Sequence, residues 1–118
     1  MSRKSWIELG ALLLVVWLGS QWWISHNQAA LGGRMAALAQ PGDVQMISSV
    51  TCPLCAVART WLLNNEVAHQ ECFIERDAVC RQRFESLLAP GTPVFLVRGQ
   101  MQLGFSPERI LLRLQKES

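Results

Sequence analysis

One segment of this chain has residue types and spacing that could do chemistry: Cys52-Pro53-Leu54-Cys55. If it opens a helix, one turn brings the two sulfurs within disulfide reach. Cys52 would then meet the unpaired N–H groups and the positive dipole end of the helix, which favour a thiolate. The thiolate is the species that attacks a disulfide. Pro53 suits the first helical position, where an N–H would have no partner. Cys55, one turn further in, would be the more buried thiol and would resolve a mixed disulfide. Two plainer readings compete. Half of a zinc site needs a second pair of ligands at short spacing, but Cys72 and Cys80 have seven residues between them. His26 lies in a connecting stretch and His69 in an expected strand, so no metal is expected. A purely structural disulfide would close a very small loop, where the gain in chain entropy is small.

Cys72 and Cys80 stand apart from that motif. Their positions in an expected strand and an expected helix turn both inward, toward the same layer. They read either as two small buried apolar residues or as a second disulfide. Disulfides persist outside the cytoplasm, so the compartment decides between the two.

The elements around these cysteines alternate in type. Val44 to Val50 alternates apolar and polar as a strand does. Pro53 opens a helix whose apolar positions continue to Leu63, and Asn64-Asn65 closes it. Val67 to Glu75 reads as a second strand and Ala78 to Leu88 as a second helix. After the Pro90-Gly91 break, Pro93 to Val97 is a buried strand, and Arg98-Gly99-Gln100 turns it into Met101 to Leu103. Ser106 caps a last helix with Pro107 at its first position. The order is β-α-β-α-β-β-α, an α/β fold with a four-stranded mixed sheet and helices on its faces.

The chain has 118 residues, 50% of them hydrophobic, which suits one small domain and excludes a two-domain enzyme. A net charge of +2, from 11 basic and 9 acidic side chains, is too balanced for a nucleic-acid-binding protein. Much of the apolar excess sits at the start. Trp6 to Ile24 carries a single charge, Glu8, and has the length of a transmembrane helix. Trp6, Trp22 and Trp23 suit the two membrane interfaces. Arg3 and Lys4 precede the stretch and the next cation is Arg34, which favours a cytoplasmic N-terminus. A cleaved signal peptide, a buried core helix and a span of opposite orientation are the alternatives. The bulky Trp22-Trp23-Ile24 stands where a cleavage site would need small residues. The expected organisation is an anchor over 1–25, a linker over 26–42, as a short helix or a loose tether, and a folded domain over 43–118.

From Val44 to Leu114 the chain resembles the glutaredoxins, within the thioredoxin-like fold. Three blocks carry the resemblance. Thr51-Cys52-Pro53-Leu54-Cys55 resembles the active-site junction of strand and helix. Gly91-Thr92-Pro93-Val94-Phe95 is similar to the loop with a cis-proline. Leu103-Gly104-Phe105-Ser106-Pro107-Glu108 is similar to the glycine turn before the last helix. The resemblance implies a thiol–disulfide oxidoreductase with Cys52 as nucleophile and Cys55 as resolving thiol. It also implies substrate contacts at Pro53, Leu54, Thr92, Pro93, Gly104 and Phe105. Two features depart from the family: Leu54 replaces the usual aromatic, and Ser48-Ser49-Val50 stand where a lysine commonly meets a glutathione carboxylate. They argue against glutathione as a cofactor, though it stays an open alternative; otherwise no cofactor is expected. The expected partners are protein thiols and disulfides, with the domain outside the cytoplasm on an inner-membrane anchor. A Cu(I)-binding module and a redox subunit of a membrane complex are the alternative functions.

Overall fold

The computed structural model of the protein describes residues 2–116. The chain forms two compact units, Met1–Ala30 and Leu31–Ser118. The first unit belongs to helix α1 (Arg3–Leu38), whose N-terminal part is long and apolar enough to cross a membrane, a test that a signal sequence also passes. It is a candidate membrane anchor.

The second unit is built on a four-stranded mixed sheet with helices packed against it. Its elements are β1 (Val44–Ser48), α2 (Pro53–Asn64), β2 (Gln70–Phe73), α3 (Ala78–Ser86), β3 (Val94–Val97), β4 (Gln100–Leu103) and α4 (Pro107–Lys116). The sheet order is β2-β1-β3-β4. Strands β1 and β2 run parallel, joined through α2, because parallel neighbours need a long crossover. The β1–β3 and β3–β4 pairs are antiparallel. Gly99, at φ +85°, supplies part of the tight turn between β3 and β4 that a side chain would strain.

The strand period of two divides the core between the faces of the sheet. Val44 and Met46 of β1 pack on one face with Ala58 and Leu62 of α2, Phe95, and Ile110, Leu111 and Leu114 of α4. Ile47 points to the other face, among Cys80, Val94, Cys72, Phe84 and Leu87.

The expected linker is where the structure departs most from the sequence reading. Residues 31–42 belong to the compact second unit, and α1 continues unbroken to Leu38. Met35 is fully buried and Ala39 nearly so, within the cluster on the α2 and α4 face, and Leu31, Ala36 and Leu38 pack against it. The spacing Leu31, Met35, Leu38 is an apolar helical stripe, and the alanines and the Gly32-Gly33 pair around it mask that stripe. Gly32 has a packing reason: a Cβ there would overlap the side chain of Asn65.

Two strands are shorter than expected. β1 stops at Ser48 because residues 49–51 turn away toward the cysteine motif. β2 starts at Gln70 because α2 closes through Glu66, at φ +55°, and the Val67 N–H bonds back to Leu62 O at 3.0 Å.

Candidate redox site

Cys52 is the N-cap of α2, with extended backbone angles, and Pro53 follows at the first helical turn. The Cys55 N–H donates to Cys52 Sγ at 3.1 Å. A thiol or thiolate at this cap therefore receives one of the orphan donors of the helix end. Cys52 and Cys55 are joined as a disulfide with Cα atoms 5.3 Å apart. Cys52 is half-buried and Cys55 fully buried. One sulfur of the pair is thus accessible and its partner is shielded, the asymmetry that two-step exchange requires.

The other residues expected at the site divide by role. Thr92 O lies 3.6 Å from Cys52 Sγ. The Thr92–Pro93 peptide is cis, as the resemblance implies, and the Pro93 ring is buried. Gly104, at φ +75°, donates its N–H to Pro93 O at 3.0 Å, which ties the end of β4 to the proline loop. Pro53 and Leu54 are exposed at the start of α2. Phe105 is half-buried, and its ring centroid lies 5.7 Å from those of both Trp61 and Phe95. A shallow, largely apolar groove of about 440 Å³ lies along the outer face of α2, lined by Ala56, Val57, Thr60, Trp61 and Asn64.

Two polar networks near the motif carry no signal in the local sequence. In the first, Arg59 of α2 grips Glu71 of β2 through two hydrogen bonds, at 2.7 and 2.8 Å. The hydroxyl of buried Ser48 donates to the same carboxylate at 2.6 Å. The Arg59 guanidinium also lies 5.3 Å from the Phe73 ring centroid. Burial pushes the Glu71 carboxyl up, but the hydrogen bonds from Arg59 and Ser48 and the Arg59 charge outweigh it and hold the group below its ordinary range. In the second network, Glu75 accepts the Ser49 hydroxyl on one oxygen and the Val50 N–H, at 3.1 Å, on the other. The Ser49 hydrogen bond, followed by that of Val50, holds the Glu75 carboxyl below its ordinary range.

Cys72 and Cys80 are joined as a disulfide between β2 and α3, with Cα atoms 6.0 Å apart. They lie in the cluster with Ile47, on the opposite face of the sheet from Ala58 and Leu62 of α2. No group of three or more potential metal ligands occurs among the described residues.

No protein-family profile and no curated protein matches the chain. Solved structures do. A mutant form of the thioredoxin-like protein BC3987 is 25% identical, with a TM-score of 0.56 over 63% of this chain and 96% of that one. The unmutated BC3987 protein is also 25% identical, with a TM-score of 0.52 over 59% of this chain and 97% of that one. A wheat glutaredoxin, at 13% identity, shares the fold with a TM-score of 0.50 over 75% of this chain and 92% of its own. A thioredoxin-like fold with a disulfide-forming Cys52–Cys55 pair supports a redox role.

Proposed function

We propose that the chain is a membrane-anchored thiol–disulfide oxidoreductase that reduces or exchanges protein disulfides through Cys52 and Cys55. One observation carries the reading. The accessible sulfur, Cys52, caps α2 and receives the Cys55 N–H, while the second sulfur is buried behind it. In the reducing direction the Cys52 thiolate attacks a substrate disulfide. A Cys52–substrate disulfide forms and one substrate thiolate leaves. Cys55, losing its proton, then attacks Cys52 Sγ, forms the Cys52–Cys55 disulfide and releases the second substrate thiol. A dithiol donor must return two electrons before the next cycle. On this reading the Thr92 backbone, whose carbonyl lies beside Cys52, pairs with an extended substrate segment, and the groove along α2 offers apolar contact. Glutathione takes no part on this reading. Where one of its carboxylates would need a cation, Ser48, Ser49 and Val50 already hold the carboxylates of Glu71 and Glu75.

The same reading places the domain outside the cytoplasm, on an anchor in the inner membrane. Arg3 and Lys4 precede the apolar stretch and the next cation is Arg34. A second disulfide, Cys72–Cys80, suits an oxidising compartment.

Trapping tests the assignment of the two thiols. In the full chain, Cys55→Ser leaves Cys52 able to attack but removes the thiol that releases the substrate. Covalent complexes that reductant dissolves should accumulate, visible on gels of alkylated extracts run without reductant. Cys52→Ser should form none. Complexes that appear with Cys52→Ser, or that depend on Cys72 or Cys80, would refute the assignment.

A further inference from the structure

The backbone just before Cys52 leaves the sheet and makes no strand pairing. It is held instead by a residue far away in the sequence. Ser49 and Val50 both bond to the Glu75 carboxylate. The Ser49 carbonyl in turn accepts the Cys52 N–H at 3.2 Å, and the Ser49 hydroxyl lies 3.2 Å from that of Thr51. A chain of hydrogen bonds thus runs from Glu75 through Ser49 to the backbone of Cys52.

Glu75 sits in the turn between β2 and α3, and that turn is fastened at several points. The Ile74 N–H bonds to Ser48 O at 3.0 Å, and the N–H groups of Arg76 and Asp77 bond to Phe73 O. The Asp77 side chain caps α3 by accepting the Val79 and Cys80 N–H groups. The Cys72–Cys80 disulfide closes the whole turn, joining residues eight apart on either side of Glu75.

We infer that Glu75 is a positioning residue for Cys52, and that the Cys72–Cys80 disulfide serves the redox site by bracing the turn that carries Glu75. The inference rests on Cys52 being the attacking thiol. Glu75 contacts neither sulfur; it acts through Ser49 and Val50. Its carboxylate is ionised across the neutral range, since both bonds hold it below the ordinary carboxylate range. The charged groups around the loop are Glu75, with Arg76 and Asp77 on its turn, the Arg81–Glu85 pair of α3, which lines one shallow pocket with Glu75, and the Arg59–Glu71 pair on α2 and β2.

A chromogenic disulfide, dithiobis(nitrobenzoate), reads the effect without knowledge of the natural substrate. In the full chain carrying Cys55→Ser, held in detergent micelles, attack by Cys52 joins it to one nitrothiobenzoate and releases the other as a coloured thiolate. The rate is followed against pH. Glu75→Ala should lower the high-pH plateau about tenfold, because small misplacements of a reacting group carry penalties of that order or more. It should also move the midpoint upward, as the backbone N–H of residue 55 loses its alignment on the Cys52 sulfur. Glu75→Gln keeps an acceptor for Val50 and a partner for Ser49. It should restore the plateau to within about twofold and shift the midpoint, if at all, downward, because a nearby negative charge is removed. Replacing Cys72 and Cys80 together by Ala should slow the parent but add little in the Glu75→Ala background, since both changes loosen one device.

A Glu75→Ala profile that superimposes on the parent would overturn the inference. So would a Gln variant as slow as Ala, or a cysteine-pair effect that multiplies fully with that of Glu75→Ala. Should the chain without Cys72 and Cys80 fail to fold, the Glu75 pair and Ser49→Ala, which breaks the same bond from the loop side, still decide. Failure to trap any protein substrate would count against the proposed function and leave this readout of Cys52 intact.

Discussion

Met35→Ala tests whether the end of α1 is part of the domain. Met35 has no solvent exposure and touches the cluster built by α2, α4 and the sheet. Burying a side chain of this size contributes about 1.5–3 kcal/mol by transfer alone. The cavity left on truncation adds to that, so Met→Ala in a core costs about 2–5 kcal/mol. For a domain of this size each kcal/mol moves the melting temperature by about 4–8 °C. The variant should therefore melt roughly 10 °C or more below the parent. Far-UV circular dichroism is dominated by helix, so near-UV tryptophan signals of the full chain in micelles are the better probe, since Trp61 packs against this cluster. Arg34→Ala, one residue away and exposed, is the control and should move the midpoint by no more than a degree or two. The truncated forms follow the same logic. A fragment from Leu31 should unfold cooperatively, whereas one from Asp43 lacks Met35 and Ala39 and should melt far lower or stay unfolded. A Met35→Ala chain within about 3 °C of the parent, or equal stability of the two fragments, would refute the view that residues 31–39 complete the core.

The Arg59–Glu71 pair ties stability to acid. Because the folded carboxyl is held below its unfolded value of about 4.3, its contribution is fully present above that value and lost as pH falls through the lower folded one; Glu71→Gln should flatten that limb in denaturant titrations from pH 5 to 2. At pH 7 the same change should cost about 1–3 kcal/mol, as Arg59 loses a charge-assisted partner, and a loss under about 0.5 kcal/mol would contradict the geometry. Gly32→Ala should destabilise by about 1 kcal/mol or more, since its Cβ drives the Asn65 side chain off Trp61 O. In an Asn65→Ala background the penalty should largely vanish, which a double-mutant cycle measures directly.

What can be read from residues alone follows locality. Cys52 to Cys55 sit on one helical turn, Pro53 marks the helix start, and Ser106-Pro107 marks another, so each signal lies within a few residues of its effect. The three strands nearest the motif show alternation or continuous apolar runs, and their order leads to the four-stranded sheet. The end of α1 is illegible because an alanine-rich stretch with two glycines is equally suited to tether and helix; only the tertiary cluster around Met35 decides. The strand ends at Ser48 and Gln70 are hidden for a similar reason, because alternation persists through turns that a positive φ at Glu66 or a distant carboxylate imposes. The clamp of Glu75 on Ser49 joins residues 26 positions apart. No periodicity or motif announces such a bond, and a single exposed glutamate after a strand reads as solvated surface.

The separation of the two disulfides bears on fidelity: Cys52–Cys55 lies at the start of α2, past the end of β1, and Cys72–Cys80 joins β2 to α3 in the cluster with Ile47 and Val94. Four cysteines can pair in three ways, and a thiolate generated at every turnover is an agent of reshuffling. Cys80 is buried among Ile47, Val94 and Phe84, so on the proposed function a mispaired form would require opening that cluster. Titratable thiols during steady turnover should therefore oscillate between none and two per chain and never reach four. On the proposed function one disulfide cycles while the other stays closed, and each turnover then carries two electrons.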